Sequence, residues 1–166
     1  MSENIEKLFE ILKKEYELYT KLKETANKKN TAIIDNEIDD LAKAVERENE
    51  IIDNLEELEE IREDILSILE DKYDLAQNFQ FSNLINNFPE ELQEEYLELR
   101  NSLLEVIDEI HEKNQENALL LDEAIKLNNF SLKMLTKAVS PENSTYNKDK
   151  LKNKVKQGYN IIDRKA

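Results

Sequence analysis

The chain has 166 residues, 39% of them hydrophobic and 37% charged, with one Gly, two Pro, no Cys and a formal net charge of −15. Zero Cys excludes disulfide and thiolate chemistry, and the acidic balance argues against nucleic acid or an anionic membrane surface as a partner of the body. So little turn chemistry predicts a single all-α chain with few, short connections.

The charge is unevenly spread. Residues 141–166 carry seven Lys/Arg and three Asp/Glu, net +4, and residues 1–140 carry net −19. The start, Met1-Ser2-Glu3-Asn4, has no signal-peptide pattern. The longest apolar run, Ala118–Leu121, is far short of a membrane span. A cytoplasmic protein without stable membrane insertion is expected, and zero Cys fits a reducing compartment.

Residues 3 to about 32 read as a first helix. Ile5, Leu8, Leu12, Tyr19, Leu22, Ala26 and Ile33 lie at heptad-like spacing, and Phe9, Ile11 and Tyr16 widen the stripe. Glu15 and Lys29 fall on the seam, where their stems are expected to pack at the edge while the charges reach water. A connection falls near Ile34-Asp35-Asn36, where Asp35 or Asn36 can cap the next helix.

The second helix is expected over 36–77. Its stripe is Ile38, Leu41, Val45, Ile52, Leu55, Leu58, Ile61, Ile65, Ile68 or Leu69, and Ala76. Residues 78–91 break the pattern, with room for one short helical turn at 82–87. Phe79, Phe81, Leu84, Ile85 and Phe88 in this stretch are expected to close the end of a bundle rather than bind a ligand.

Pro89 suits the first position of a third long helix, which runs to Val139 before Ser140-Pro141 stops it. Its seam is Leu92, Tyr96, Leu99, Leu103, Val106 and Ile110, then Leu120, Ala124, Leu127, Met134 and Ala138. Such a stripe needs other helices to cover it, so an antiparallel, coiled-coil-like bundle of three long helices over residues 1–140 is predicted. The same stripe also serves a homodimer. A flexible, partly helical tail, 141–166, follows. Within it Leu151, Val155, Tyr159 and Ile162 lie at helical spacing among Lys148, Lys150, Lys152, Lys154 and Lys156.

Few constellations carry chemistry. Asp108-x-x-His111 has the spacing of a helical metal-ligand pair, but a di-iron bundle needs two such motifs and more carboxylates. No Gly-rich phosphate loop, Cys/His pair or nucleophile elbow occurs, so neither an enzyme nor a cofactor is expected. Between Ile110 and Leu120 the seam turns polar. Asn114-x-x-Asn117 there has two readings: amides that bond across helices and set register, or a band where the bundle opens to a partner helix. Beyond it Phe130, Leu132, Met134, Leu135 and Val139 spread apolar groups around the helix, either as a wider core or as a groove for an amphipathic helix.

Lys28-Lys29 with Ala32-Ile33 resembles the basic-then-apolar end of helix one in the flagellar export chaperones of the FlgN type. Asp35 through Leu41 resembles that family's acidic start to helix two. Glu48 with Ile51-Ile52, then Leu55, Leu58-Glu59 and Arg62, resembles its helix-two signature, and Asn114-x-x-Asn117-x-x-Leu120-Leu121 the paired Asn and Leu of its last long helix. The tail, with Tyr146, Gly158 and Asp163-Arg164-Lys165-Ala166, is similar too, although Tyr146 is followed by Asn147-Lys148-Asp149-Lys150 where the family often has an Asp-Gly-like turn.

The resemblance covers nearly the whole chain. It implies a long-helix bundle without enzymatic activity that binds the terminal helices of hook–filament junction proteins through its C-terminal region. It further implies that binding prevents premature polymerisation and that the client is delivered to the cytoplasmic domain of the export gate. Client-binding residues are then expected at Phe130, Leu132, Leu135, Val139, Leu151, Val155, Tyr159 and Ile162. In related export chaperones a Tyr in the linker after the last long helix contacts the gate, and Tyr146 is the matching position. The competing class is a coiled-coil adaptor or homodimerising tether with no export client.

Overall fold

The computed structural model describes residues 3–74 and 81–136. Four helices, α1 (Glu3–Ile34), α2 (Ile38–Tyr73), α3 (Phe81–Ile85) and α4 (Glu90–Leu135), occupy 93% of those residues, and no strand occurs among them. The apolar stripes account for the three long helices, since no Gly or Pro interrupts them.

The α1–α2 connection is decided by Asn36, which adopts the left-handed conformation with φ 57°. The Glu37 N–H donates to Ala32 O at 2.9 Å and the Asn36 N–H to Ile33 O at 3.2 Å, so the free carbonyls at the end of α1 are satisfied in a Schellman turn. The expectation that Asp35 or Asn36 caps the second helix is therefore corrected. Asn36 closes α1, and Glu37 stands at the N-cap of α2, its carbonyl accepting from the Leu41 N–H at 3.0 Å. Asn fills the role usual for Gly because its short polar side chain tolerates positive φ better than most. Pro89 likewise precedes α4 as its cap, one position earlier than expected, with Leu92 and Gln93 N–H groups on its carbonyl.

The chain divides into two compact units. The first comprises Met1–Lys21 and Ile51–Val106. Its core joins Ile5, Leu8, Phe9 and Ile11 of α1 to Ile65 and Leu69 of α2 and Leu84 and Ile85 of α3. Phe88, Leu92 and Tyr96 pack against that cluster, and the Phe9 and Tyr96 rings meet edge to face at 6.5 Å. Each large side chain buried this way contributes about 1.5–3 kcal/mol. Of the pair Ile68 and Leu69, Leu69 takes the core position and Ile68 faces out, as does Ile61, which the sequence pattern placed on the stripe.

Glu15 does not reach water as expected. It is buried and accepts from Arg62 Nη1 at 2.8 Å. The cation that compensates it comes from α2, 47 residues away, which the local pattern does not reveal. Tyr19 lies close by, and its hydroxyl is pushed up to about 12, first by burial and then by the Glu15 carboxylate, with Arg62 opposing.

The second unit comprises Leu22–Glu50 and Ile107–Ala166. Here the core is mixed. Leu22, Ala26, Ala32, Ile33, Ala44, Ile107, Ile110 and Leu121 are buried together with Thr25, Lys29, Glu48, Asn114 and Asn117. Lys29, expected at the edge with its charge in water, is 1% exposed and paired with Glu48.

Candidate functional site

The second unit brings polar groups to its centre in a defined order. Lys29 Nζ donates to Glu48 Oε2 at 2.8 Å across the α1–α2 hairpin. Asn117 Nδ2 donates to Ala26 O at 2.9 Å, and Asn117 Oδ1 accepts from Asn30 Nδ2 at 3.0 Å. Asn30 also donates to Glu116 at 3.2 Å. The Glu116 carboxyl is held below its ordinary value by hydrogen bonds from Lys113 and then Asn30. Lys23 pairs with Glu109 nearby. Asn114 is buried as well, and its Oδ1 has no hydrogen-bond partner among the described residues.

These contacts fix α4 against α1 at one longitudinal position, because a one-residue slide would strip Asn117 of both partners. Four residues beyond Asn30, α1 ends at Ile34, whereas α4 continues 18 residues beyond Asn117. Leu121 is the last buried residue of α4. The 14 residues after it, about 21 Å of helix, have no buried position.

That end of α4 is apolar where water meets it. Leu127, Phe130 and Met134 follow one row at three- and four-residue steps, and Leu132 and Leu135 lie beside it. All five are exposed, Leu135 to 83%. Leu127 and Met134, which the periodicity put on the covered seam, are thus uncovered, for the reason that α1 has already ended. Five large apolar side chains at the end of one helix make a surface that a partner helix can cover. Val139, Tyr146, Leu151, Val155, Tyr159 and Ile162 lie outside the described residues.

A second feature of this unit is an open groove of about 600 Å³ along the α1–α2 hairpin, floored by Ala32 and Ala44 and edged by Lys28, Lys43, Arg47, Asp35, Glu37 and Asp40. Its charges balance, and none of the expected site residues lines it. His111 sits 3.3 Å from Gln115 Nε2, and among the described residues no cluster of His, Asp and Glu is arranged to hold a metal ion. No described helix is long and apolar enough to cross a membrane.

A family model described as FlgN protein matches residues 1–154, which includes every described residue. The chain belongs to the FlgN family. FlgN proteins are flagellar export chaperones, and the residues that carried the resemblance acquire physical roles here. Lys29 and Glu48 form the buried pair of the second unit, Arg62 compensates Glu15 in the first, and Asn117 ties α4 to α1. No curated protein and no solved structure matches this FlgN chain. Neither ion pair is visible in the periodicity of a single helix, because each joins a residue of α1 to one of α2. Their signal was the constant sum of residue numbers across a hairpin, 15 with 62 and 29 with 48.

Proposed function

We propose that this chain is a non-enzymatic cytoplasmic secretion chaperone for the hook–filament junction proteins of the flagellum. It holds their terminal helices, prevents premature polymerisation and delivers them to the cytoplasmic domain of the export gate. Membership of the FlgN family carries the reading. The uncovered end of α4 supports it physically, because Phe130, Leu132 and Leu135 offer a client helix an apolar face. Burying these three together with Leu127 and Met134 is worth on the order of 5–10 kcal/mol gross, before the cost of ordering the partners.

Val139, Leu151, Val155, Tyr159 and Ile162 extend the client-binding surface in this proposal, with the basic tail closing over the client and Tyr146 contacting the gate. The three long helices form an antiparallel bundle in which Asn117, bonded to Ala26 and Asn30, keeps α4 in register. The tail's net +4 beside a net −19 body supports a segment built to engage something other than a matching coil.

The test is co-purification from cells that express rod, hook and junction proteins, with identification of the bound chain. Junction proteins should be retained by the full chain and lost on removal of residues 141–166 or on Phe130→Ser with Leu135→Ser. Full affinity in both variants would refute the proposal. A stable homodimer on sedimentation with no bound client would instead support the coiled-coil tether.

A further inference from the structure

The acidity of this protein is concentrated in one unit. Residues 1–21 and 51–106 hold 21 Asp/Glu against seven Lys/Arg, net −14 of the chain's −15. Within that unit one face is also apolar. Ile61 and Ile68 of α2 and Leu97 and Leu104 of α4 each leave 40–50% of their surface exposed. Both pairs are spaced by seven residues, two turns of helix.

The contacts that α2 and α4 make with α1 place the two pairs on one groove. On α2, Arg62 faces α1, since it bonds to Glu15. Ile61 and Ile68 lie about 100–120° round the helix from Arg62 at 100° per residue, turned away from α1. On α4, Glu95 faces α1, since it pairs with Lys13 at 2.7 Å, and Tyr96 faces the core. Leu97 and Leu104 lie about half a turn round from Glu95. Both pairs therefore flank the α2–α4 groove on the side opposite α1. Levels along the helices agree: Glu15 opposite Arg62 and Phe9 beside Tyr96 bring Ile68 within about a turn of Leu97, and Ile61 of Leu104. On α2 the outer rim is Glu57, Asp64 and Asp71, all exposed and again seven residues apart, and Arg100 is a cation on the α4 side.

We propose that this groove is a docking site for a partner protein's helix, one with an apolar stripe at heptad spacing flanked by Lys or Arg. Four half-exposed aliphatic side chains supply the contact, and the acidic rim selects a basic partner and speeds its approach. A second copy of this chain is disfavoured, because it would bring two faces of net −14 together. The chain's own tail, at net +4, leaves the unit strongly negative even when docked, so a basic partner is still attracted.

The site is separate from the end of α4 and is tested separately. The full chain is titrated with a fluorescent synthetic helix of about 20 residues carrying Leu at heptad spacing and Lys on the flanks. A control peptide has Ser in place of Leu. At about 0.15 M salt the Leu peptide should bind at least about tenfold more tightly than the control. The pair Ile61→Ser with Ile68→Ser, and the pair Leu97→Ser with Leu104→Ser, should each weaken it about tenfold with the thermal midpoint kept. Unchanged affinity in either pair overturns the proposal. So does loss of binding on Phe130→Ser with Met134→Ser, which would place the peptide on α4's end. Binding that requires removal of residues 141–166 overturns it too, because the groove would then belong to the tail.

Discussion

Lys29→Met should be among the most damaging single substitutions in the second unit, and pairing it with Glu48→Leu should reverse the damage. Lys29 and Glu48 are both buried, with Nζ and Oε2 2.8 Å apart. Removing the cation alone leaves a carboxylate whose side chain is 8% exposed without its partner. Breaking a buried pair in this way costs about 3–5 kcal/mol, a large share of a total stability of about 5–15 kcal/mol. For a chain of this length that is a fall in thermal midpoint of roughly 6–20 °C. In the double variant no charge remains to be desolvated, and two apolar side chains of similar size fill the space, so stability should return to within about 1 kcal/mol of the parent or exceed it. The four proteins of the cycle are compared by urea unfolding followed by circular dichroism, with the coupling energy read from the midpoints and slopes. A loss below about 1 kcal/mol for Lys29→Met, or a double variant as unstable as the sum of the singles, would refute the buried-pair argument.

Tyr19 sets an alkaline limit. Its folded pKa of about 12 lies above the ordinary value of 10, so the folded state binds the proton more tightly. Its contribution is present below pH 10 and is lost as pH rises from about 10 to about 12, and Tyr19→Phe should show a shallower fall in stability across that window than the parent. Asn36→Ala should cost about 1 kcal/mol, because Ala is strained at φ 57°, whereas Asn36→Gly should be neutral or stabilising in the same denaturation assay. Asn114→Leu should raise the urea midpoint, by the equivalent of about 1–2 kcal/mol, since it replaces a buried amide whose oxygen has no partner among the described residues. In hydrogen exchange, amides after Leu121 in α4 should exchange faster than those between Val106 and Leu121, and should slow when a client binds.

Much of the fold was legible because amphipathic periodicity is local information. A stripe with no Gly or Pro over dozens of residues leaves helix as the consistent conformation, so α1, α2 and α4 follow from the pattern, as does a short helical turn between α2 and α4. The Asn114-x-x-Asn117 interruption was visible for the same reason. What periodicity does not encode is how much of a stripe has something to lie against. Ile61, Leu127 and Met134 satisfy the spacing as well as Ile65 and Ile110 do, yet they are exposed.

By itself, then, the sequence determined that this is an all-helical acidic chain with a basic tail, and its ordered signatures pointed to the FlgN family. The tertiary structure decided which charges are buried, which helix Asn36 terminates and where the apolar stripes run out of cover. The physical reason is that burial is a property of pairs of segments. Lys29 is a core residue only because Glu48 returns along α2 to meet it, and the last third of α4 is a surface only because α1 stops at Ile34.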